Sequence, residues 1–180
     1  MKTYLIAALG LAFAATANAQ QATAPAGAKK LDKASIEADY KAAREKCKPL
    51  KGNAQDVCEK EAAGARKVAN AEREAQEKNT PKARHDVAVA KADAEYDVAK
   101  ERCDDKKGND KDVCVKDAKA AHERAKADAT AQLKTSEAKR EANEDKRDAE
   151  YAAAKERCDA MSGDAKAKCV NDAKTRFGRS

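Results

Sequence analysis

The six cysteines are the residues whose type and spacing most directly indicate chemistry. Ten residues separate the two members of each pair, and this repeated spacing predicts the disulfides Cys47–Cys58, Cys103–Cys114 and Cys158–Cys169. Other pairings are formally open, but the repeat favours this local one. Metal binding and redox catalysis are the alternatives. The spacing is not that of zinc sites and no Cys-x-x-Cys occurs, so we expect structural disulfides.

The two histidines are the next candidates for chemistry. We expect His122 to be a solvated helix residue and His85 to contact a helix seam. The sequence places no nucleophile and no converging acids beside either of them, so it predicts no catalytic site, no metal site and no cofactor. The carboxylates alternate with Lys and Arg, as is typical of a solvated helix face. Metal buffering by carboxylates and histidines is the weakest alternative.

Each cysteine pair belongs to a longer internal repeat. A tyrosine precedes the first cysteine of each unit by seven residues, at Tyr40, Tyr96 and Tyr151. A glycine follows that cysteine by five residues, at Gly52, Gly108 and Gly163. Helical spacing places tyrosine and cysteine on one stripe, which predicts that the ring packs over the disulfide, with a ligand platform as the alternative. We expect the glycine to be a left-handed helix stop, and the residue after it to cap a returning helix.

Composition favours helices and excludes a thick core. The chain has 45 alanines among 180 residues, but only 14 Leu, Ile, Val, Met or Phe after residue 19. A deep pocket enzyme is therefore excluded, and disorder is the alternative to thin helices. Few residues interrupt the helical pattern, although Thr80 and Pro81 should begin a new helix. We predict helices at 31–51, 53–78, 81–107, 109–161 and 164–177, with a bend at Thr135-Ser136 as the alternative to one continuous fourth helix.

Antiparallel arms on either side of each glycine would bring the paired cysteines to the same height. The sequence therefore predicts an all-α fold of repeated, disulfide-pinned antiparallel helical hairpins, arranged as an elongated bundle or a coiled-coil-like zigzag.

The N-terminus has the pattern of a cleaved secretory signal. Lys2 precedes an apolar run at 4–15, and Ala17-Asn18-Ala19 is a small-residue cleavage site. A short membrane anchor or a buried helix is the alternative. An exported chain with an even number of cysteines is expected to be oxidised. We expect the Gram-negative periplasm, with secretion as the alternative. The predicted organisation is a signal peptide (1–19), a flexible tether (20–30) and three hairpin units (31–80, 81–135 and 136–180).

Charge limits the set of partners. The formal net charge is +6, with 38 basic and 32 acidic residues mixed along the chain. Nucleic-acid binders concentrate basic residues on one face and add stacking aromatics, and the sequence predicts neither. The helices also lack the large apolar residues that insert into membranes. We expect envelope proteins as partners, no nucleic acid and no stable membrane insertion. Self-association and weak attraction to anionic lipid or envelope polysaccharide stay open.

The repeated Ala-Lys-Glu-Arg-Cys-Asp and Cys-Val-x-Asp-Ala-Lys segments resemble small Gram-negative periplasmic proteins described as TolA-like cell envelope biogenesis proteins. The sequence has neither the membrane anchor nor the globular C-terminal domain of TolA, so energy coupling does not follow from this resemblance. It implies a non-enzymatic envelope spacer, scaffold or interaction module. The alternative is a stress chaperone that holds unfolded envelope proteins on an amphipathic helical surface.

Overall fold

The computed structural model describes residues 31–179, and this part of the chain confirms the predicted all-α class. No strand occurs in these residues. The predicted signal peptide (1–19) and tether (20–30) lie outside them. The five helices are α1 (Lys33–Cys47), α2 (Asn53–Lys78), α3 (Pro81–Arg102), α4 (Gly108–Asp159) and α5 (Gly163–Phe177), and a short 3-10 turn (Cys103–Asp105) follows α3.

Two of the helices begin with side-chain caps. The Asp32 carboxylate accepts a hydrogen bond from the Ser35 amide at 2.9 Å, and the Thr80 hydroxyl accepts one from the Ala83 amide at 3.1 Å. Pro81 follows Thr80 at the first helical position, where its missing N–H costs no hydrogen bond. The start of α3 is therefore where the sequence predicts it.

The sequence predicts that each repeat glycine ends the preceding helix, but in the structure each glycine lies at the start of the following helix. Gly52, Gly108 and Gly163 do have positive φ angles of 56°, 54° and 59°. However, the preceding helices have already ended, with an i→i+3 hydrogen bond such as that from the Met161 amide to the Cys158 carbonyl at 3.0 Å. Each glycine therefore opens the returning helix. The predicted caps Asn53, Asn109 and Asp164 are wrong, because no side chain caps α2, α4 or α5.

Each helix packs mainly against its neighbours in the chain, in the order α1, α2, α3, α4, α5. Ion pairs show that α1 and α2 run antiparallel, since Glu37 lies 3.5 Å from Arg66 and Arg44 lies 3.6 Å from Glu59. The pair α2 and α3 is also antiparallel, and Arg102 lies 2.6 Å from Glu61 near one end of it.

Alanine forms most of the thin core. The buried side chains of residues 31–179 are Ile36, Cys47, Ala62, Ala83, Ala90, Ala92, Cys103, Ala118, Ala129, Cys158 and Ala173. Helices approach closely where the residues are smallest. A Cβ atom placed on Gly64 of α2 would lie 2.8 Å from the Cβ of Ala94 in α3. The helices are thus held by close backbone approach rather than by large interdigitating side chains.

The helix α4 is the longest element, with 52 residues. Its first half packs on α3 through Ala118 and Ala129, and its last turn buries Cys158 against α5. Residues 134–150 between these contacts are all exposed. None of the helices in residues 31–179 combines the length and the apolar composition that a membrane span requires.

Candidate functional site

Disulfides close three of the four turns between consecutive helices, and the α2–α3 turn is the one without a disulfide. We call 47–58, 103–114 and 158–169 the first, second and third necks. The Cα atoms of the bonded cysteines are 5.6, 5.7 and 5.7 Å apart, and residues 31–179 contain no free cysteine. These distances are ordinary for disulfides. The bonds join the cysteines that the sequence pairs, and their first members are among the most deeply buried residues of the protein.

An ion pair accompanies the disulfide in the second and third necks. Lys111 lies 2.8 Å from Asp104, and Lys166 lies 2.8 Å from Asp159. The hydrogen bond from the lysine is the main cause that lowers the pKa of each aspartate. In the first neck, Lys48 follows the cysteine where the other two have aspartate, so this pair cannot form. Because these groups are exposed, the pairs add little stability.

The exposed large apolar side chains of residues 31–179 all lie in or beside the necks. Leu50 is 38% exposed, Val113 is 50% exposed and Met161 is 47% exposed. Leu50 and Met161 occupy the same position in their repeats, three residues after the first cysteine. Isolated apolar side chains on a surface are common. Here the three exposed ones all lie at the turns, so each neck has a small apolar tip.

Each repeat tyrosine contacts a side chain of the returning helix. Tyr40 has the Arg66 guanidinium 4.0 Å from its ring centroid, Tyr96 stacks on His122 at 4.8 Å, and Tyr151 meets Phe177 edge-on at 6.2 Å. The predicted packing over the disulfide stays a prediction. A tyrosine lies two helical turns before its cysteine, and helical side chains lean toward the N-terminus, away from the neck.

Asp93 joins three helices at one point. Its carboxylate accepts a hydrogen bond from Lys67 of α2 at 2.8 Å and lies 2.7 Å from Nε2 of His122 in α4. The ring of Tyr96 stacks on the imidazole of His122. The bond from Lys67 is the largest cause that lowers the pKa of Asp93, and His122 also lowers it. The prediction that His122 is solvated is wrong, because its side chain is only 13% exposed.

The polar groups around Asp93 connect packed helices. No group of three His, Cys, Asp or Glu side chains in residues 31–179 is placed to hold a metal ion. The other histidine, His85, lies 3.2 Å from Asp86 on its own helix. The two partners of Asp93, Lys67 and His122, come from helices packed on either side of α3, so the cluster fixes the register of α2, α3 and α4.

An open groove runs between α2 and α3 on one side of their contact. Its volume is about 590 Å³. Two ion pairs span it, Lys91 with Glu72 at 2.8 Å and Arg102 with Glu61 at 2.6 Å. Small aliphatic side chains form its floor, among them Ala65, Val68, Ala69, Ala94, Val98 and Ala99. The groove can accept an apolar segment, but only a thin one.

Comparison with family models, curated proteins and solved structures finds no match. Sequence reasoning located the necks but missed the Asp93 cluster and the α2–α3 groove. The sequence indicates these two features only through the periodic spacing of residues along each helix. Gly64, Val68 and Ala65 follow the spacing of one helix face, but the partner helix and its register could not be read from it.

Proposed function

We propose that the protein is a non-enzymatic spacer of the Gram-negative periplasm that holds two interaction ends apart on one helix. The observation that carries this proposal is the position of two necks on α4. Cys114 and Cys158 are separated by 44 residues (158 − 114) of continuous helix, which corresponds to roughly 66 Å of helix.

The ends of this spacer differ in composition. Ion pairs of α2 with α3 place the first neck beside the second, since Lys60 lies 3.8 Å from Glu101. One end of the molecule thus presents Leu50 and Val113, and the other presents Met161. Small apolar tips on rigid, oxidised turns suit protein contacts better than catalysis.

The periplasmic assignment rests on three supports. The predicted signal peptide and the TolA-like composition indicate export to the envelope, and three disulfides are consistent with an extracytoplasmic compartment. We further propose that the repeats act as clamps, each holding two helices together without a large core.

Photocrosslinking in cells tests the spacer. A photoreactive residue replaces Leu50 at one end, Met161 at the other end, or the exposed Glu141 midway along α4 as a control. The proposal expects different proteins at the two ends and few adducts at the middle position. The same adducts at all three positions, or none at the ends, would contradict it.

The α2–α3 groove favours a second candidate, a chaperone that holds unfolded envelope proteins. An exposed apolar strand of a client could lie on the Val68 and Val98 surface. An aggregation assay with a denaturing client at equimolar ratio tests this function. Val68→Glu with Val98→Glu should remove protection, whereas Val113→Glu, outside the groove, should retain it. A wild-type protein that gives no protection would exclude the chaperone.

A further inference from the structure

The exposed middle of α4 separates its charges onto two faces. Rotation of about 100° per residue brings one set of side chains to the same side of the helix. This set contains four cations and no acid, and we call it the cationic stripe: Ser136, Lys139, Arg140, Asn143, Lys146 and Arg147. The stripe spans 12 residues, or roughly 16 Å of helix, and ends one turn before Glu150 returns to the same face.

The acids of this segment lie on the other side of the helix. They are Glu137, Glu141, Glu144, Asp145 and Asp148. Two of them, Glu144 and Asp148, line a neighbouring cavity with Phe177 of α5, and Asp148 pairs with Arg179 there. Arg147, at the edge of the stripe, lines this cavity as well. Along the sequence, the positive and negative charges of this segment are mixed. The helix converts this alternation into one positive and one negative face.

The cationic stripe forms one wall of a groove. The other wall is the start of α3, represented by Pro81 and Arg84, and the volume between them is about 750 Å³. Arg84 donates a hydrogen bond to the side-chain oxygen of Asn79 at 3.1 Å, which holds its guanidinium at the α2–α3 turn. The positive end of the α3 dipole lies at the same place and adds to the potential.

The cations of the stripe have no acidic partners. No ion pair within residues 31–179 involves Lys139, Arg140, Lys146 or Arg147. Lysines nearby at the α2–α3 turn are paired, Lys78 with Glu74 at 3.0 Å and Lys82 with Asp86 at 3.1 Å. These four cations are thus not neutralised by ion pairs within this part of the chain, and they share one face of α4 with no acid between them.

We infer that this groove binds a linear polyanion, a polymer that carries anionic groups along its length. Four cations in two pairs, seven residues apart, can contact successive anionic groups, and Arg84 can contact the polymer from the opposite wall. A bilayer surface fits less well, because a plane cannot reach both walls and the stripe has no large apolar residue to insert. This binding goes beyond the spacer role and does not depend on it.

Affinity for inorganic polyphosphate, measured by fluorescence anisotropy with the oxidised chain from residue 20, tests the site. The test variant combines Lys139→Gln, Arg140→Gln, Lys146→Gln and Arg147→Gln. The control variant removes an equal number of positive charges from other positions on α4, by Lys116→Gln, Lys119→Gln, Arg124→Gln and Arg157→Gln. All eight residues are exposed, so both variants should keep the wild-type circular dichroism.

We expect the test variant to bind at least tenfold more weakly than the control. The slope of log affinity against log salt should also fall by about three, because four cations each release about 0.7 of a counterion. Equal losses in both variants would overturn the proposal, since binding would then follow net charge alone. Tighter binding to vesicles of anionic lipid than to the polymer would also overturn it.

A second measurement uses the wild-type protein only. Polyphosphate should protect Lys139 and Lys146 from acylation, read by mass spectrometry, and should leave Lys116 and Lys119 reactive. Equal protection of all four lysines would contradict a defined groove even if the test variant failed to fold.

Discussion

At the scale of single residues, the absence of side-chain volume stabilises the fold. Gly64 faces Ala94 so closely that one added methyl group has no room. Alanine has the best helix propensity and lets backbones approach, so the same residue type favours both the helix and its packing. Asp93 stabilises the packing in a different way, because its single carboxylate joins three helices.

Gly64→Ala should destabilise the protein although it improves helix propensity. The propensity gain is about 1 kcal/mol, whereas inserting a methyl group into a closely packed contact costs typically 1–3 kcal/mol. Urea unfolding followed by circular dichroism measures the difference. Adding Ala94→Gly to this variant should restore most of the lost stability, because it moves the space to the other helix. A single variant more stable than the wild type would contradict the close contact.

Asp93→Asn should make the protein less sensitive to acid. Because the fold lowers the pKa of Asp93, its stabilisation is present above the ordinary value of 3.8 and is lost as pH falls through the folded-state pKa. Near pH 6 the variant should be less stable by about 1 kcal/mol, as for a partly exposed charged pair. Near pH 2 the variant and the wild type should unfold together.

Urea midpoints at several pH values measure this effect. Asp97→Asn is the matched control, since Asp97 is an exposed aspartate on the same helix. It should follow the wild type throughout. A difference between Asp93→Asn and the wild type that stays constant down to pH 2 would show that the carboxylate is not responsible.

At the scale of helices, the elements differ in how much they depend on their disulfide. The helix α5 has 15 residues and one buried residue, Ala173. Its other contacts with α4 are only half-buried, such as Tyr151 with Phe177. A helix of this length is marginal by itself. In contrast, α3 and α4 are also joined by Asp93 with His122 and by buried alanines.

Removing the third disulfide should therefore release α5. Closing a loop of this size contributes about 3 kcal/mol, which corresponds to roughly a hundredfold in the opening equilibrium. In the variant Cys158→Ser with Cys169→Ser, amide hydrogen exchange in α5 should accelerate by about that factor. The matched variant Cys103→Ser with Cys114→Ser should leave the amides around Ala118 and Ala129 protected. Continued protection of α5 without its disulfide would contradict this difference.

Most helix bounds could be predicted from sequence, because they depend on local signals. Thr80 and Pro81 mark the start of α3, and the lack of Gly or Pro between 109 and 160 predicts one long helix. Partners between helices could not be predicted in the same way. Glu37 has a good intrahelical partner at Lys41, yet it lies against Arg66 of α2. Such choices depend on the register of two packed helices, which no local pattern contains.

At the scale of the whole molecule, α4 connects two separate packed regions. One contains α1, α2, α3 and the first half of α4, and the other contains α5 with the last turns of α4. Residues 134–150, between the two regions, have no buried side chain. The distance between the two regions therefore depends on α4 alone. The exposed segment of this helix is stabilised mainly by the helix propensity of its residues.

Spin labels on nonnatural residues at positions 119 and 155 should therefore report one narrow distance. The 36 intervening steps of helix correspond to roughly 54 Å, before the length of the labels. Pulsed electron resonance measures this distribution. Glu141→Pro, which breaks the helix in its exposed middle, should broaden and shorten it. A wild-type distribution as broad as that of the proline variant would exclude a rigid connection.

The short sequence separation within each neck also affects biogenesis. Paired cysteines are only 11 positions apart, so as the chain emerges N-terminus first, each pair is complete long before the next one appears. Native bonds can form in order, and a mispaired bond requires an earlier pair to have been left open. The protein therefore needs an oxidant during its maturation, but an isomerase that reshuffles disulfides should be dispensable.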